Sequence, residues 1–160
     1  AIIVAINSGL RDGEQRRLTW ADVDFEHGAL TIRHTKSKKD RVVPMNATLR
    51  AALQSLPQHV TSPYVFTNAK TGRGYTHEFN NTTWKKTLKR AGITRLRWHD
   101  LRHSFASRLA QKGVSLQVIK ELLGHSTLQM VLRYAHLQQQ NLRDAVAALD
   151  PRKVEERAAQ

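Results

Sequence analysis

A few side chains in this sequence have types and spacings that could do chemistry. His99 and Arg102 are three residues apart in a segment of helical pattern, so they lie about 60° apart on one face while Leu101 points the other way. A titratable group and a permanent cation therefore project together, on what is either a working face or a merely solvated basic one. His99 and His103 also have the i, i+4 spacing of helical metal ligands. Arg102 on the same face would repel a cation, and a metallopeptidase motif needs Glu where this chain has Asp100, so no metal site is expected. Arg11 follows the turn Asn7-Ser8-Gly9, with Glu14 one helical turn later. That pair is a surface ion pair worth a few tenths of a kcal/mol, or a carboxylate that holds the guanidinium in place. Lys36 stands beside Lys38 and Lys39 where a strand runs into its turn, a place also suited to a lysine that blocks edge pairing. His125 lies just past Gly124 at a helix junction, and Tyr134 about two turns further on. Met130 and Val131 share the tyrosine's side, which is the pattern of an ordinary core aromatic as much as of a nucleophile.

The elements that must position these groups are legible from periodicity. Ala1 to Asn7 reads as the last turns of a buried helix stopped at Ser8-Gly9, and Arg11 to Leu18 as a short helix with acids in its first turn. Val23–Phe25, Leu30–Ile32 and Arg41–Pro44 predict a small antiparallel sheet with basic hairpin tips. Asn46 is a good N-cap for a helix with the stripe Leu49, Leu53 and Leu56, ended by Pro57. Thr76 is expected to cap a helix facing inward with Phe79, Trp84 and Leu88 and ending at Gly92. From Trp98 onward the pattern is helical: Leu101, Phe105 and Leu109 to Gly113, then Leu116, Ile119 and Leu123 from Ser115 to Gly124. Ser126 and Gln129 predict a capping box for the helix carrying Tyr134. Asn141–Leu149 reads as a last amphipathic piece. The fold class is α+β, mostly helical, with about three strands packed on a helical bundle.

Composition narrows the function. The 160 residues hold 26 Lys+Arg against 13 Asp+Glu, a net charge of +13. A folded body this basic points to a polyanionic partner, nucleic acid first. The chain has no cysteine, which excludes a disulfide scaffold, thiolate-bound zinc and a thiol nucleophile. No apolar run approaches the ~20 residues of a membrane span, and the apolar start lacks the basic leader of a signal peptide. Because the chain opens inside an apolar run, it is expected to be a fragment, with Ile2, Ile3 and Ile6 left partly uncovered.

Taken singly, each candidate has a bland explanation; their order does not. Ser8-Gly9-Leu10-Arg11-Asp12-Gly13-Glu14 with Leu18-Thr19-Trp20-Ala21-Asp22, then Thr35-Lys36 with Asp40-Arg41-Val42-Val43-Pro44, come first. His99-Asp100-Leu101-Arg102-His103-Ser104-Phe105-Ala106-Ser107 is next, and Leu122-Leu123-Gly124-His125-Ser126 with Tyr134-Ala135-His136 comes last. The series resembles the tyrosine recombinases of the phage-integrase family over roughly residues 1 to 140. Ser8 stands where the family usually has Thr, and Gly13 is a poor helix former; neither change removes a functional group.

The resemblance implies a catalytic domain over residues 1–150, a polar tail at 151–160 and a preceding core-DNA-binding domain absent from this chain. It implies Tyr134 as the nucleophile on a DNA phosphate, giving a 3′-phosphotyrosyl link and a free 5′-hydroxyl. Arg11 and Arg102 would clamp the phosphate oxygens, with His125 donating beside them. Lys36 would protonate the leaving oxygen. His99 would take the tyrosine proton or order the site, and Glu14 would orient Arg11. His103 and His136 belong to the matching strings without an assigned step. Arg33, Lys38, Lys39 and Arg41 at the hairpin, with Lys85, Lys86, Lys89, Arg90, Arg95 and Arg97, are candidates for holding the duplex. The implied reaction needs neither cofactor, metal nor ATP. The implied partners are double-stranded DNA and further copies of the chain, as a tetramer, in the bacterial cytoplasm and not at a membrane.

Two rivals differ in class. A non-catalytic helix-turn-helix module would use Gly113-Val114-Ser115 as its turn, although Leu109 stands where a small residue is expected. It leaves Arg11, Lys36 and Tyr134 unexplained. A type IB topoisomerase shares the mechanism, but the Leu-Gly-His string and the length favour a recombinase.

Overall fold

Two glycines end helices and turn the chain. Helix α1 (Ile2–Ser8) stops at Gly9, whose φ of +62° lets its N–H close back on the Ala5 carbonyl. Helix α6 (Leu116–Leu123) stops the same way at Gly124, φ +63°. The computed structural model describes residues 1–33, 40–68, 71–75, 79, 82–138 and 146.

Between those ends the chain forms α2 (Asp12–Arg17), then a three-stranded antiparallel sheet of β1 (Val23–Asp24), β2 (Ala29–Ile32) and β3 (Arg41–Pro44) in that order. Leu30 pairs with Val43 and Ile32 with Arg41. Leu30, Ile32 and Val43 are buried on one face, as period-2 alternation requires. Helix α3 (Ala47–Gln54) begins at Asn46, whose side-chain oxygen accepts the Leu49 N–H at 2.8 Å. Helices α4 (Thr82–Arg90) and α5 (Trp98–Gln111) come next, and α6 is capped by the Ser115 hydroxyl. The mixed architecture read from the sequence, mostly helical with three strands, is the one observed.

The core has two parts. One gathers Val4, Leu10, Leu30, Val43, Leu49 and Leu53 with the aromatic group of Phe66, Phe79, Trp84 and Trp98. Trp98 stacks at 4.7 Å from Phe79 and 5.1 Å from Trp84 between ring centroids. The other gathers Ala106 and Ala110 of α5, Ile119 and Leu123 of α6, and Val131 and Tyr134. Helix α5 contributes to both, packing on α1 at one side and on the tyrosine segment at the other.

Several expectations need correcting. The Ser126–Gln129 capping box does not form. The chain is wound there as two 3₁₀ segments, Leu128–Met130 and Leu132–Leu137, and Thr127 makes no side-chain cap bond. Three residues per turn eclipse positions i and i+3, so Val131 and Tyr134 are buried together, with the Tyr134 N–H on the Val131 carbonyl. Helix α3 ends at Gln54, before the expected Leu56, and α4 begins only at Thr82, leaving Phe79 ahead of it. Thr76, most of the 141–149 segment and the 151–160 tail lie outside the described residues, as do Lys36, Lys38 and Lys39. Among the described residues no helix is long and apolar enough to cross a membrane.

A Cβ at Gly9 would stand 2.5 Å from Phe105 Cδ1, on backbone already left-handed. Gly9→Ala should therefore destabilise the chain by about 2 kcal/mol or more, read from its denaturant midpoint.

Candidate active site

The site is built on the end of α6. The last turn of a helix leaves its carbonyls without intrahelical partners and carries partial negative charge. Three consecutive carbonyls there each receive an arginine. Arg41 Nε donates to Leu122 O at 3.0 Å, Arg102 Nη2 to Leu123 O at 2.6 Å, and Arg11 Nη2 to Gly124 O at 3.4 Å. The other terminus, at α1, adds a fourth bond: Arg102 Nη1 donates to Gly9 O at 2.6 Å. Arg102 thus ties the end of α6 to a carbonyl 93 positions before it in the chain.

Glu14 sits under the same three guanidiniums with its side chain 3% exposed. It accepts from Arg11 Nη1 at 2.8 Å and from the Arg11 backbone N–H at 2.9 Å. Arg41 grips it as a fork, at 2.9 and 2.7 Å. Arg102 Nη1 stands 4.0 Å away. Burial alone would push the Glu14 carboxyl up. The bonds and charge of Arg41, with the two bonds from Arg11, win and hold it at about 2. Burial, with Arg11 and Arg41 close by, lowers Arg102 to about 9 despite Glu14. Three guanidiniums against one carboxylate leave an uncompensated positive centre suited to an anion.

His125 follows Gly124 directly. Burial and then the charges of Arg102 and Arg11 bring its imidazole down to about 4. Its Nδ1 is buried with no hydrogen-bond partner among the described residues. Tyr134 is 5% exposed, and burial raises its phenol above the ordinary value. Its hydroxyl lies 2.6 Å from His103 Nδ1. His99, one turn earlier on α5, is exposed and sets its ring edge-on to His103 at 4.9 Å between centroids.

The structure therefore brings Arg11, Glu14, Arg102, His125 and Tyr134 to one place, with His99 at its rim. Arg41 is a correction. Expected among the cations that hold the duplex, it has a side chain 9% exposed and directs every guanidinium nitrogen at Glu14 or Leu122 O. Arg102 does not share an open basic face with His99 either; it turns inward and is 3% exposed. Two contributors were missed. His103 had a signal, its i+4 spacing from His99. Arg41 stands in a matching string, Asp40-Arg41-Val42-Val43-Pro44, but is expected there only to hold the duplex. Of the other basic candidates, Arg33 pairs with Asp22 at 2.7 Å, Arg97 pairs with Asp100 at the start of α5, and Lys85, Lys86, Lys89, Arg90 and Arg95 are exposed. No group of three or more metal-ligating side chains occurs among the described residues.

Because the Glu14 carboxyl titrates near 2 in the folded chain and near 4.5 when free, it contributes stability that is present above 4.5 and lost as the pH falls toward 2. The difference corresponds to about 3 kcal/mol. Glu14→Gln should abolish that part of the acid dependence and cost about 3–5 kcal/mol at pH 7, seen in urea melts taken across pH, because it strands buried arginines.

Comparison with known proteins shows the family. Residues 1–141 match the model of the phage integrase family. Tyrosine recombinase XerA of Pyrococcus furiosus is 32% identical over 151 residues, which cover 91% of this chain and 52% of that protein. The solved catalytic domain of bacteriophage HP1 integrase is 31% identical with a TM-score of 0.68, covering 99% of this chain and 84% of that one. XerH site-specific recombinase, solved bound to its difH substrate, is 28% identical with a TM-score of 0.72, covering 94% of this chain and 46% of that one. The chain spans about half the length of the curated relatives it matches. It belongs to the phage integrase family, the tyrosine recombinases, and has the fold of their catalytic domain.

Proposed function

We propose that this chain carries out the cutting and rejoining of DNA strands in site-specific recombination, through a covalent 3′-phosphotyrosyl intermediate. The observation that carries the reading is the positive centre around Glu14, with the buried phenol of Tyr134 packed against α5 and the end of α6. A phosphodiester is the anion that gives both features a use. Arg11 and Arg102 hold its non-bridging oxygens, and the charge that develops as the phosphorus becomes five-coordinate falls among guanidiniums already fixed in place. His125 adds a donor. Its Nδ1 has no partner among the described residues, and burial with the charges of Arg102 and Arg11 keeps the ring neutral at pH 7, so it can donate one N–H to an anion.

Tyr134 attacks the phosphorus and keeps the phosphodiester energy in the protein–DNA bond, so rejoining needs no ATP. Lys36 protonates the leaving 5′-oxygen, and His99 belongs to the acid–base apparatus. Glu14 and Arg41 fix Arg11 from behind. Residues 1–150 act as the catalytic domain, in the cytoplasm, on double-stranded DNA and as a tetramer. The XerH relative on its difH DNA supports the choice of a duplex partner.

Two outcomes are expected. Covalent adducts trapped with SDS from cells making the full-length protein, once sequenced, give its recombination site. A nicked duplex of that site should then yield an SDS-resistant adduct in EDTA, and none with Tyr134→Phe. No adduct from folded protein on its own site would reject the function. Separately, Lys86→Glu with Lys89→Glu should weaken duplex binding and make log Kd less steep against log salt, by about one for each phosphate that the variant no longer touches. An unchanged slope would remove α4 from the DNA-holding surface.

A further inference from the structure

We propose that His103 accepts the proton of the attacking Tyr134 phenol, because its Nδ1 stands 2.6 Å from the tyrosine oxygen. This rests on the reading of Tyr134 as nucleophile. It assigns the proton's destination to a histidine other than His99, the one that the family resemblance puts in the acid–base role.

Geometry comes first. A base must lie within about 2.6–3.2 Å of the atom whose proton it removes, and His103 Nδ1 already does. The Tyr134 hydroxyl meets this ring directly. Of the carboxylates of the region, Glu14 is already gripped by Arg41 and Arg11, and Asp100 is paired with Arg97. The His99 ring lies edge-on against His103, at 83° between planes, which restrains the imidazole in the plane that aims Nδ1 at the phenol.

Charge agrees. A phenol proton can point at Nδ1 only when the ring is neutral and carries its own proton on Nε2. The groups facing His103 are His99, Asp100 and Arg102 on α5, Arg97 at its cap, and Arg133 and Tyr134 on the 3₁₀ segment. Burial and then Arg133 hold the imidazole below its ordinary range, against the opposing pull of Asp100. His99 is held down as well, by burial and by His103. At neutral pH the pair is uncharged, and His103 is free to take a proton. Tyr134 itself, raised by burial, arrives as a phenol and needs an acceptor.

In this step a lone pair of Tyr134 Oη forms the bond to phosphorus while the proton of Oη passes to His103 Nδ1. The bond from phosphorus to O5′ breaks with its electron pair going to O5′, which takes a proton from Lys36. Rejoining reverses each transfer, and His103 returns its proton to Tyr134 Oη.

The test uses full-length protein and a duplex half-site ending in a 3′-p-nitrophenyl phosphodiester. p-Nitrophenolate leaves without being protonated, so its release reports nucleophile activation apart from Lys36. In His103→Asn, the amide oxygen keeps an acceptor where Nδ1 stood but cannot take the proton. The expected result is release roughly 10²–10⁴-fold slower at unchanged DNA affinity. The wild-type rate should fall with acid only below the ordinary histidine range, and that fall should be absent in the variant, because it marks protonation of His103. A folded variant that releases p-nitrophenolate within about threefold of wild type, or faster, overturns the assignment. So does ¹⁵N NMR of the unsubstituted protein showing the His103 proton on Nδ1 at about pH 7.5, a measurement that does not depend on the variant's folding. No release by the unsubstituted protein, or full release by Tyr134→Phe, overturns the nucleophile reading instead.

Discussion

Three arginines converge on the carbonyls of Leu122, Leu123 and Gly124 at the end of one helix, and the rest of the site depends on that convergence. A buried guanidinium must find acceptors for five N–H groups or cost several kcal/mol. The end of α6 offers carbonyls that its own helix cannot use, at the negative end of its dipole. Glu14 supplies the carboxylate. The same contacts join α1, α2, β3, α5 and α6, so the arginines of the site also hold the pieces of the fold together. Gly9 and Gly124 are part of this. Each gives up its side chain so that the chain can turn left-handed and leave a carbonyl pointing at an arginine.

The tyrosine's place comes from the second core cluster. Ala106 and Ala110 make α5 thin where the 3₁₀ segment crosses it, which lets Tyr134 pack close enough to reach His103. A phenol held this way is protected and aimed, yet its pKa moves in the wrong direction for a nucleophile. Burial that positions the group also makes it less reactive, so the proposed nucleophile calls for an adjacent proton acceptor.

What the sequence made legible was local. Helix stops at Gly9 and Gly124, the Asn46 and Ser115 caps and the alternation of β2 are set by neighbours a few residues apart, and each is found where periodicity put it. The order of the charged strings pointed to a shared site. The direction in which each side chain turns was not legible. Whether Arg102 faces water or Gly9 O depends on a carbonyl 93 positions away. Arg41 looked like one more hairpin cation because nothing in a linear reading shows that Glu14 lies beneath it. The Tyr134 segment misled for the opposite reason. Its capping-box letters are correct, but burying Val131 and Tyr134 together favours tighter winding than an α-helix gives.

The positive centre also has a cost. Two charges beyond what Glu14 can balance are kept in a place where burial disfavours them, and the lowered Arg102 and His125 record that strain. Filling the centre with a well-packed apolar group would make a more stable fold. It would also remove the reason for an anion to bind there. On the proposed function, a phosphate oxygen placed among Arg11, Arg102 and His125 would relieve the repulsion, so binding would be driven partly by energy that folding had left unfavourable. The gain is largest where negative charge is greatest, which on a reaction path through five-coordinate phosphorus is the transition state rather than the bound diester. On that function, the arrangement that costs the fold stability is the one that would favour the reaction.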